Sequence, residues 1–332
     1  MWQVVGQPRV INLLERSIQQ GQLSHAHLFV GPPHVGKFTL AVNLAQAVNC
    51  ESEDVPCQQC PACRRIAAGK HADVQIVDVI SPEAKEIGIN QIREIQMSCH
   101  LPPFEGKSKV FIIDKAELLS NEAANCLLKT LEEPPPKVHL ILLTASESKL
   151  LTTILSRCQR VELRPLPASM VREILITSYN ISHDRAILLS TLSGGCLGWA
   201  LLADRDDTIL QHRQQTIAAF VDLSSASLQQ RFAYAAEMAT QFGKSRHRVT
   251  DTLSSWLQWW HDLLLIKGGN AQSITNIDCK AMLSHQAEGL TIKQIAEFIR
   301  QVQAVGQKLE QNVNPRAALE VLMLKMPQAR MV

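Results

Sequence analysis

Short apolar runs that alternate with helical patterns constrain the fold of this 332-residue chain more than any other feature. The sequence is typical of buried strands at Ala26–Val30, Val74–Val79, Val110–Ile113 and Leu140–Thr144, and of helices at Lys37–Val48, Ile89–Ser98 and Asn121–Leu131. Strands that alternate with helices form βαβ units, in which parallel strands are covered on both faces. Residues 1–165 are therefore predicted to form an α/β domain with a parallel sheet.

The remainder of the chain has the periodicity of helices. Apolar residues recur at helical spacing at Val249, Leu253, Trp256, Leu257, Trp260 and Leu264. The tryptophans, with Trp259, could stack on bases, but their spacing favours a helix packing face. Asn314 and Pro315 are a good cap and first position for a last helix that reaches about Leu324. We expect domain boundaries near 165 and 206, and thus a small helical domain over 166–206 and an all-α domain over 207–332.

The composition excludes several classes of protein. With 46% hydrophobic residues and a net charge of +2, the chain can bury a core and is not a protein that coats nucleic acid by bulk charge. No apolar run approaches the roughly 18 residues needed to span a bilayer. The first residues lack a basic segment followed by an apolar one, so we expect a cytoplasmic protein.

A glycine-rich loop follows the first predicted strand. It reads GPPHVGKFT and matches the phosphate-binding pattern G-x-x-x-x-G-K-[ST] except at the last position. Gly31 and Gly36 let backbone N–H groups turn toward a phosphate, and Lys37 would reach the β- and γ-phosphates. Phe38 replaces the hydroxyl that ligates Mg²⁺, and Thr39, about 100° further round the helix, cannot simply stand in for it.

Asp114 ends the third predicted strand, where its carboxylate would lie beside a metal at the edge of the sheet. The next residue is Lys115, at the position where an active ATPase of this type carries a carboxylate that orients the attacking water. A lysine cannot act as that base at neutral pH. We therefore expect no independent ATP hydrolysis, and whether the loop retains ATP or ADP stays open.

Four of the nine cysteines lie within 14 residues, at Cys50, Cys57, Cys60 and Cys63. Their number and their C-x₂-C spacings are those of a structural Cys₄ zinc site. A redox C-x-x-C pair is the alternative, but no thioredoxin-like strand precedes the cluster. Cys99, Cys126, Cys196 and Cys279 are interpreted as ordinary buried thiols.

Taken together, these segments resemble the bacterial clamp-loader branch of the AAA+ ATPases, in which a zinc module lies between the P-loop helix and the next strand. The resemblance extends to NCLLKTLEEPP at 125–135, ILSRC at 154–158 and NVNPR at 312–316. It spans most of the chain, is strongest over 6–165 and is weaker over 207–310. It implies an AAA+ P-loop domain with a zinc module at 50–63, a helical lid and an all-α oligomerisation collar.

The resemblance also implies a function and partners. Such a subunit belongs to the clamp loader of the DNA polymerase III holoenzyme and assembles with tau/gamma and delta subunits. The assembled complex places the sliding clamp on primed DNA. Arg157, in the ILSRC segment, would act as an arginine finger in trans, in the ATP site of a neighbouring tau/gamma subunit. Phe38, Lys115 and Gly198 depart from the motor subunits, which carry an arginine that senses the γ-phosphate at the position of Gly198.

Other interpretations remain open. A working motor of the tau/gamma kind would need Thr39 or a displaced water to hold Mg²⁺. A zinc-dependent nucleic-acid module would use the Cys₄ segment with Arg64 and Arg65. On spacing alone, Arg157 would form an ion pair with an acid such as Glu162. Four scattered cations that could follow DNA are more typical of solvated surface charges: Arg93, Lys107, Lys109 and Lys129.

Overall fold

The computed structural model describes residues 1–81, 86–311 and 313–327, so Asn312 of the NVNPR segment lies outside the described residues. The chain forms two compact units. One comprises Met1–Val171 with Gly195–Trp199, and the other Arg172–Gly194 with Ala200–Val332. The division into domains at 1–165, 166–206 and 207–332 stays a prediction.

The helices are α1 Pro8–Gln19, α2 Lys37–Asn49, α3 Pro61–Ala67, α4 Ile89–Cys99, α5 Asn121–Glu132, α6 Thr152–Leu155, α7 Ala168–Tyr179, α8 His183–Leu192, α9 Leu197–Arg205, α10 Asp207–Ser225, α11 Leu228–Lys244, α12 Arg246–Lys267, α13 Lys280–Glu288, α14 Ile292–Glu310 and α15 Pro315–Lys325. The strands are β1 Ala26–Val30, β2 Val74–Val77, β3 Lys109–Ile113, β4 Val138–Thr144 and β5 Gln159–Glu162.

The five strands form one parallel sheet in the order β2-β3-β4-β1-β5. The predicted parallel α/β architecture is thus confirmed, and the four predicted strands are present with ends shifted by two residues at most. Strand β5 was not predicted, because its sequence Gln-Arg-Val-Glu contains a single buried residue, Val161. All five strands end at the same edge of the sheet, so the segments that follow them converge there.

Helices cover both faces of the sheet, because successive side chains of each buried strand point to opposite faces. Leu28, Leu140 and Leu142 pack with α4, α5 and α6. Phe29 and Ile141 face the opposite way and pack with α1, α2 and α3. The cap of α5 is as predicted, since the Ser120 hydroxyl accepts a hydrogen bond from the Ala123 N–H at 3.1 Å.

The second unit is entirely helical within its described residues. Trp256, Trp259 and Trp260 are at most 1% exposed, which confirms that they form a packing face. Asn314 caps α15 by accepting from the Arg316 N–H at 3.0 Å. No helix among the described residues is both long and apolar enough to cross a membrane.

One arginine is buried in the core of this helical unit. Arg231 is 2% exposed, and its guanidinium donates to the carbonyls of Leu223 and Ser224, at the end of α10, at 2.9 and 2.8 Å. It also donates to the carbonyls of Met323 and Met326, at the end of α15, at 3.4 and 3.0 Å. Burial lowers the pKa of this guanidinium. The side chain therefore joins the carboxyl ends of two helices, where backbone carbonyls commonly need partners from outside the helix.

Candidate functional site

The glycine-rich loop lies where β1 gives way to α2, at the carboxyl edge of the sheet. Gly31 is packed so tightly that a Cβ atom there would lie 2.5 Å from the carbonyl oxygen of Leu163. Gly36 precedes α2 with a φ of +108°, a conformation open to glycine. Both positions of the pattern thus favour glycine for local reasons, close packing at Gly31 and a positive φ at Gly36.

The lysine of this loop is bound by the loop itself. Lys37 Nζ donates to the carbonyl oxygens of Gly31 at 2.6 Å and Pro32 at 2.8 Å. Burial lowers the pKa of Lys37, while the negative charges of Glu117 and Asp114 raise it in part. The Lys37 ammonium, which would bind a phosphate in an active loop, thus donates hydrogen bonds to carbonyls of its own loop.

A second segment of the same unit packs on the loop. The Gly198 N–H donates to the His34 carbonyl at 3.1 Å, and a Cβ atom at Gly198 would lie 2.7 Å from that oxygen. Any larger residue there would require the loop to shift. Phe38, next to the lysine, is 43% exposed and offers no oxygen ligand, while Thr39 is half-buried.

Asp114 follows β3 at the same edge, as predicted. Burial raises the pKa of the Asp114 carboxyl, and the positive charge of Lys37 lowers it in part. Lys115, at a φ of +50°, turns away to Asp78 at the end of β2, with 2.7 Å between Nζ and Oδ2. Lys37 and Asp114 thus lie close enough for each to influence the pKa of the other, whereas Lys115 forms an ion pair with Asp78.

Glu117 is a residue of this edge that the sequence reasoning missed. It lies in a 3₁₀ turn, Ala116–Leu118, and its Oε1 accepts from the Ala145 N–H at 3.2 Å. Its Oε2 is buried and has no hydrogen-bond partner among the described residues. An acid three positions after Asp114 was the signal in the sequence, because a single turn returns such a residue to the strand edge.

Arg157 makes its contacts with α5 and α6. Its Nη1 donates to the Thr153 carbonyl at 3.0 Å and to the Ser156 hydroxyl at 3.2 Å. Its Nη2 lies 2.8 Å from Glu132 Oε1, and the arginine side chain is 35% exposed. The guanidinium is therefore held in a defined position and still reaches solvent.

Arg157 does not form the ion pair with Glu162 that the spacing in the sequence suggested. Glu162 pairs instead with Arg160 and Arg164, each at 3.2 Å. These residues are two apart in an extended segment and therefore share a face, whereas Arg157 precedes β5 and turns toward the end of α5. The acid beside Arg157 lies 25 positions earlier in the sequence, so local spacing could not reveal it.

The four clustered cysteines form a candidate metal centre. Cys50 follows α2, Cys57 lies in the connecting loop, Cys60 caps α3 and Cys63 lies in its first turn. Their four Sγ atoms lie within 4.8 Å of one another, and those of Cys57 and Cys63 are 4.0 Å apart. Tetrahedral zinc with Zn–S bonds of about 2.3 Å requires S–S separations of about 3.8 Å, so the cluster fits such an ion.

Backbone amides point at these sulfur atoms. Cys57 Sγ accepts from the N–H groups of Gln59 at 3.4 Å and Cys60 at 3.2 Å, and Cys60 Sγ accepts from that of Cys63 at 3.4 Å. Hydrogen bonds from Ser52, Cys60 and Gln59 lower the pKa of Cys57 to about 5. Burial raises the pKa of Cys63. Amides that donate to sulfur favour thiolates, the form that binds metal.

A buried polar chain supports the cluster from α2. Gln46 Nε2 donates to the Cys63 carbonyl at 2.9 Å, and Asn43 Nδ2 donates to Gln46 Oε1 at 3.0 Å. Both amide side chains are fully buried. Lys107 donates to the Cys50 carbonyl. The centre is thus fixed by groups outside the four cysteines, as is usual for structural metal sites.

The remaining thiols and cations singled out in the sequence differ in how deeply they are buried. Burial raises the pKa of Cys99 to about 11, as expected of an ordinary core thiol, whereas Cys126, Cys196 and Cys279 are only half-buried. The prediction that Lys109 is a solvated surface charge is wrong. Its side chain is buried, with 7% of the residue exposed, and it donates to the Ser98 carbonyl at 2.9 Å, at the end of α4. Arg93 and Lys129 are exposed, as expected.

Comparison with known proteins supports one family. A profile described as "DNA polymerase III, delta subunit" matches residues 6–167. DNA polymerase III subunit delta' of Bacillus subtilis (strain 168) is 30% identical over 323 residues, which cover 97% of this chain and 96% of that protein.

Two tau subunits are similar over half or more of the chain. DNA polymerase III subunit tau of Bacillus subtilis (strain 168) is 40% identical over 51% of this chain, and that of Escherichia coli (strain K12) is 37% identical over 60%. The chain spans only 30% and 31% of the length of these two proteins. The similarity to delta', by contrast, extends over nearly the whole of both chains. The chain therefore belongs to the family of DNA polymerase III delta' subunits.

Proposed function

We propose that this chain is a clamp-loader subunit that does not hydrolyse ATP and that supplies Arg157 to the ATP site of a neighbouring tau/gamma subunit. In the assembled complex, with tau/gamma and delta subunits, it takes part in placing the sliding clamp on primed DNA. Zn²⁺ bound by Cys50, Cys57, Cys60 and Cys63 has a structural role in this proposal.

The observation that carries the proposal is the contrast between two cations of one unit. Lys37 donates to two carbonyls of its own loop, while the neighbouring Phe38 offers no ligand for Mg²⁺. Arg157 is 35% exposed and held by groups on two helices. A cation fixed at a surface can offset charge that develops on a phosphoryl group bound by another subunit.

Two further features support an idle nucleotide loop. Gly198 leaves no room for the arginine that senses a γ-phosphate in the motors, because its backbone packs on His34. Lys115 is paired with Asp78 and cannot orient water as a base. Gly31, Gly36, Lys37, Thr39 and Asp114 would then be remnants of a nucleotide site rather than an active one.

The test uses the loader reconstituted from this chain and its cognate tau/gamma and delta subunits. Arg157→Ala is expected to leave assembly intact and to lower ATP-dependent clamp loading at least tenfold, since an arginine finger contributes roughly 10³–10⁵ to the rate at its own site. Arg164→Ala, which removes a 77% exposed arginine of the same segment, is the matched control. Unchanged loading by the Arg157 variant would remove the arginine finger from the account.

A working ATPase of the tau/gamma kind is the second candidate, and Glu117 is the observation that favours it. Its buried Oε2 has no partner among the described residues, and its charge acts on Lys37. Such a carboxylate could replace the one missing at Lys115. ATP turnover by the isolated chain, lost in Glu117→Gln, would establish this second function in place of the first.

A further inference from the structure

We propose that Glu132 is a positioning residue for Arg157, which holds the guanidinium in the orientation it needs to meet a phosphate bound by the neighbouring subunit. The inference rests on the proposed role of Arg157 and adds a second residue to it. Glu132 would touch neither the nucleotide nor the reacting atoms, and would act only through the arginine.

The geometry holds the guanidinium from two sides. Nη1 donates to the carbonyl of Thr153 and the hydroxyl of Ser156, both within α6 or at its end. Nη2 is 2.8 Å from Glu132 Oε1, which comes from α5. The two contacts on α6 are to residues within four positions of Arg157. It is the ion pair with Glu132 that connects the side chain to a second helix, α5.

Both elements are anchored in the core of their unit. Leu131 is 2% exposed and fixes the last turn of α5, and Ile154 is fully buried and fixes α6. Pro134, after Glu133, prevents the helix from continuing. Glu132 therefore projects from a rigid helix end, which sets the position of its carboxylate more closely than a loop would.

Both side chains of the ion pair are partly exposed to solvent, so the pair orients the arginine and still allows it to change partners. The side chains of Arg157 and Glu132 are 35% and 50% exposed. Exposed ion pairs are weak, so exchange of one acceptor for a phosphate oxygen is readily reversible. The arginine gains by entering the interface already ordered, because immobilising a long side chain at that moment costs entropy.

The experiment compares Glu132→Gln with Glu133→Gln in the reconstituted loader. Glu133 is the adjacent exposed acid, whereas the ion pair of Arg157 is made by Glu132. Glu132→Gln is expected to lower kcat for ATP turnover three- to tenfold at saturating clamp and DNA, with KM for ATP and the Tm of the isolated chain unchanged. Glu133→Gln is expected to behave as the wild type.

A double variant distinguishes positioning from a general structural role. If Glu132 acts through Arg157, Glu132→Gln adds no loss in an Arg157→Ala background, since interacting residues are not additive. Additive losses, or a Glu132→Gln loader with the kcat of the wild type, would overturn the inference while Arg157→Ala still impairs the loader. An Arg157→Ala loader that hydrolyses ATP normally would instead overturn the proposed function.

Discussion

The two ends of α2 differ in how their polar groups are satisfied. At its start, the phosphate-binding pattern is present in outline, but Lys37 is bound by two carbonyls of its own loop. At its end, Cys50 joins three further cysteines whose Sγ atoms lie within 4.8 Å of one another. One helix thus connects a loop whose lysine is bound by its own carbonyls with a cluster of four cysteines that fits a metal ion.

The difference supports the proposal that the nucleotide loop is idle and that the cysteines hold a metal ion. Lys37 already donates to two carbonyls of its own loop, and Phe38 beside it offers no hydroxyl to hold Mg²⁺. The four cysteine sulfurs lie close together, and N–H groups of the chain donate to those of Cys57 and Cys60, which favours their charged form.

The largest effect is expected from removing the metal at the second end of α2. Cys63→Ser, or treatment with a zinc chelator, should remove the ion and lower the free energy of unfolding of the first unit by several kcal/mol. Structural zinc contributes roughly 10–16 kcal/mol to the folding of small zinc peptides. Zinc analysis and thermal unfolding measure the effect. Cys126→Ser should retain the metal, and a Cys63→Ser chain with full zinc content would contradict the assignment.

A smaller effect is expected from the buried amide that supports this end. Gln46→Leu removes the donor to the Cys63 carbonyl and leaves Asn43 without its acceptor. The loss should be about 1–3 kcal/mol in the free energy of unfolding, because buried polar groups are left unpaired. Urea unfolding measures it, with the exposed Gln20→Leu as control. A variant as stable as the wild type would show that the polar chain does not link α2 to the centre.

The smallest effect is expected at the first end of α2. Lys37→Met should change the free energy of unfolding by no more than about 1 kcal/mol, because the lost contacts to two carbonyls are offset by the removal of a buried charge. Clamp loading by the reconstituted complex should not change. A loader that fails with this variant would show that the loop binds nucleotide, and the contrast between the two ends would disappear.

Much of the fold could be predicted because its signals are local. Strands β1, β3 and β4 are continuous apolar runs, and the caps Ser120 and Asn314 are recognisable from neighbouring residues. Strand β5 was missed because it is mostly polar, and α3 because it is only seven residues long and begins inside the cysteine segment. Lys109 was misjudged because a lysine at the start of a buried strand can reach the end of a helix.

In the candidate site, too, features set by nearby residues could be predicted, whereas contacts between distant residues could not. The Cys₄ cluster was predictable because its ligands are close in sequence, and its spacing already implies its geometry. The partner of Arg157 was not, because Glu132 lies on a different helix that the sheet brings alongside α6. The hydrogen bonds of Lys37 to its loop depend on backbone conformation, and sequence spacing carries no information about them.

The buried Arg231 has a consequence for the order of events during synthesis. Its guanidinium requires carbonyls of Met323 and Met326, about 90 residues further along the chain. Domains generally fold from the amino terminus as the ribosome releases the chain. The first unit has all its residues once Trp199 has emerged, whereas the helical unit must wait for almost the last residues described. The first unit can therefore be complete before the carbonyls that Arg231 requires have been synthesised.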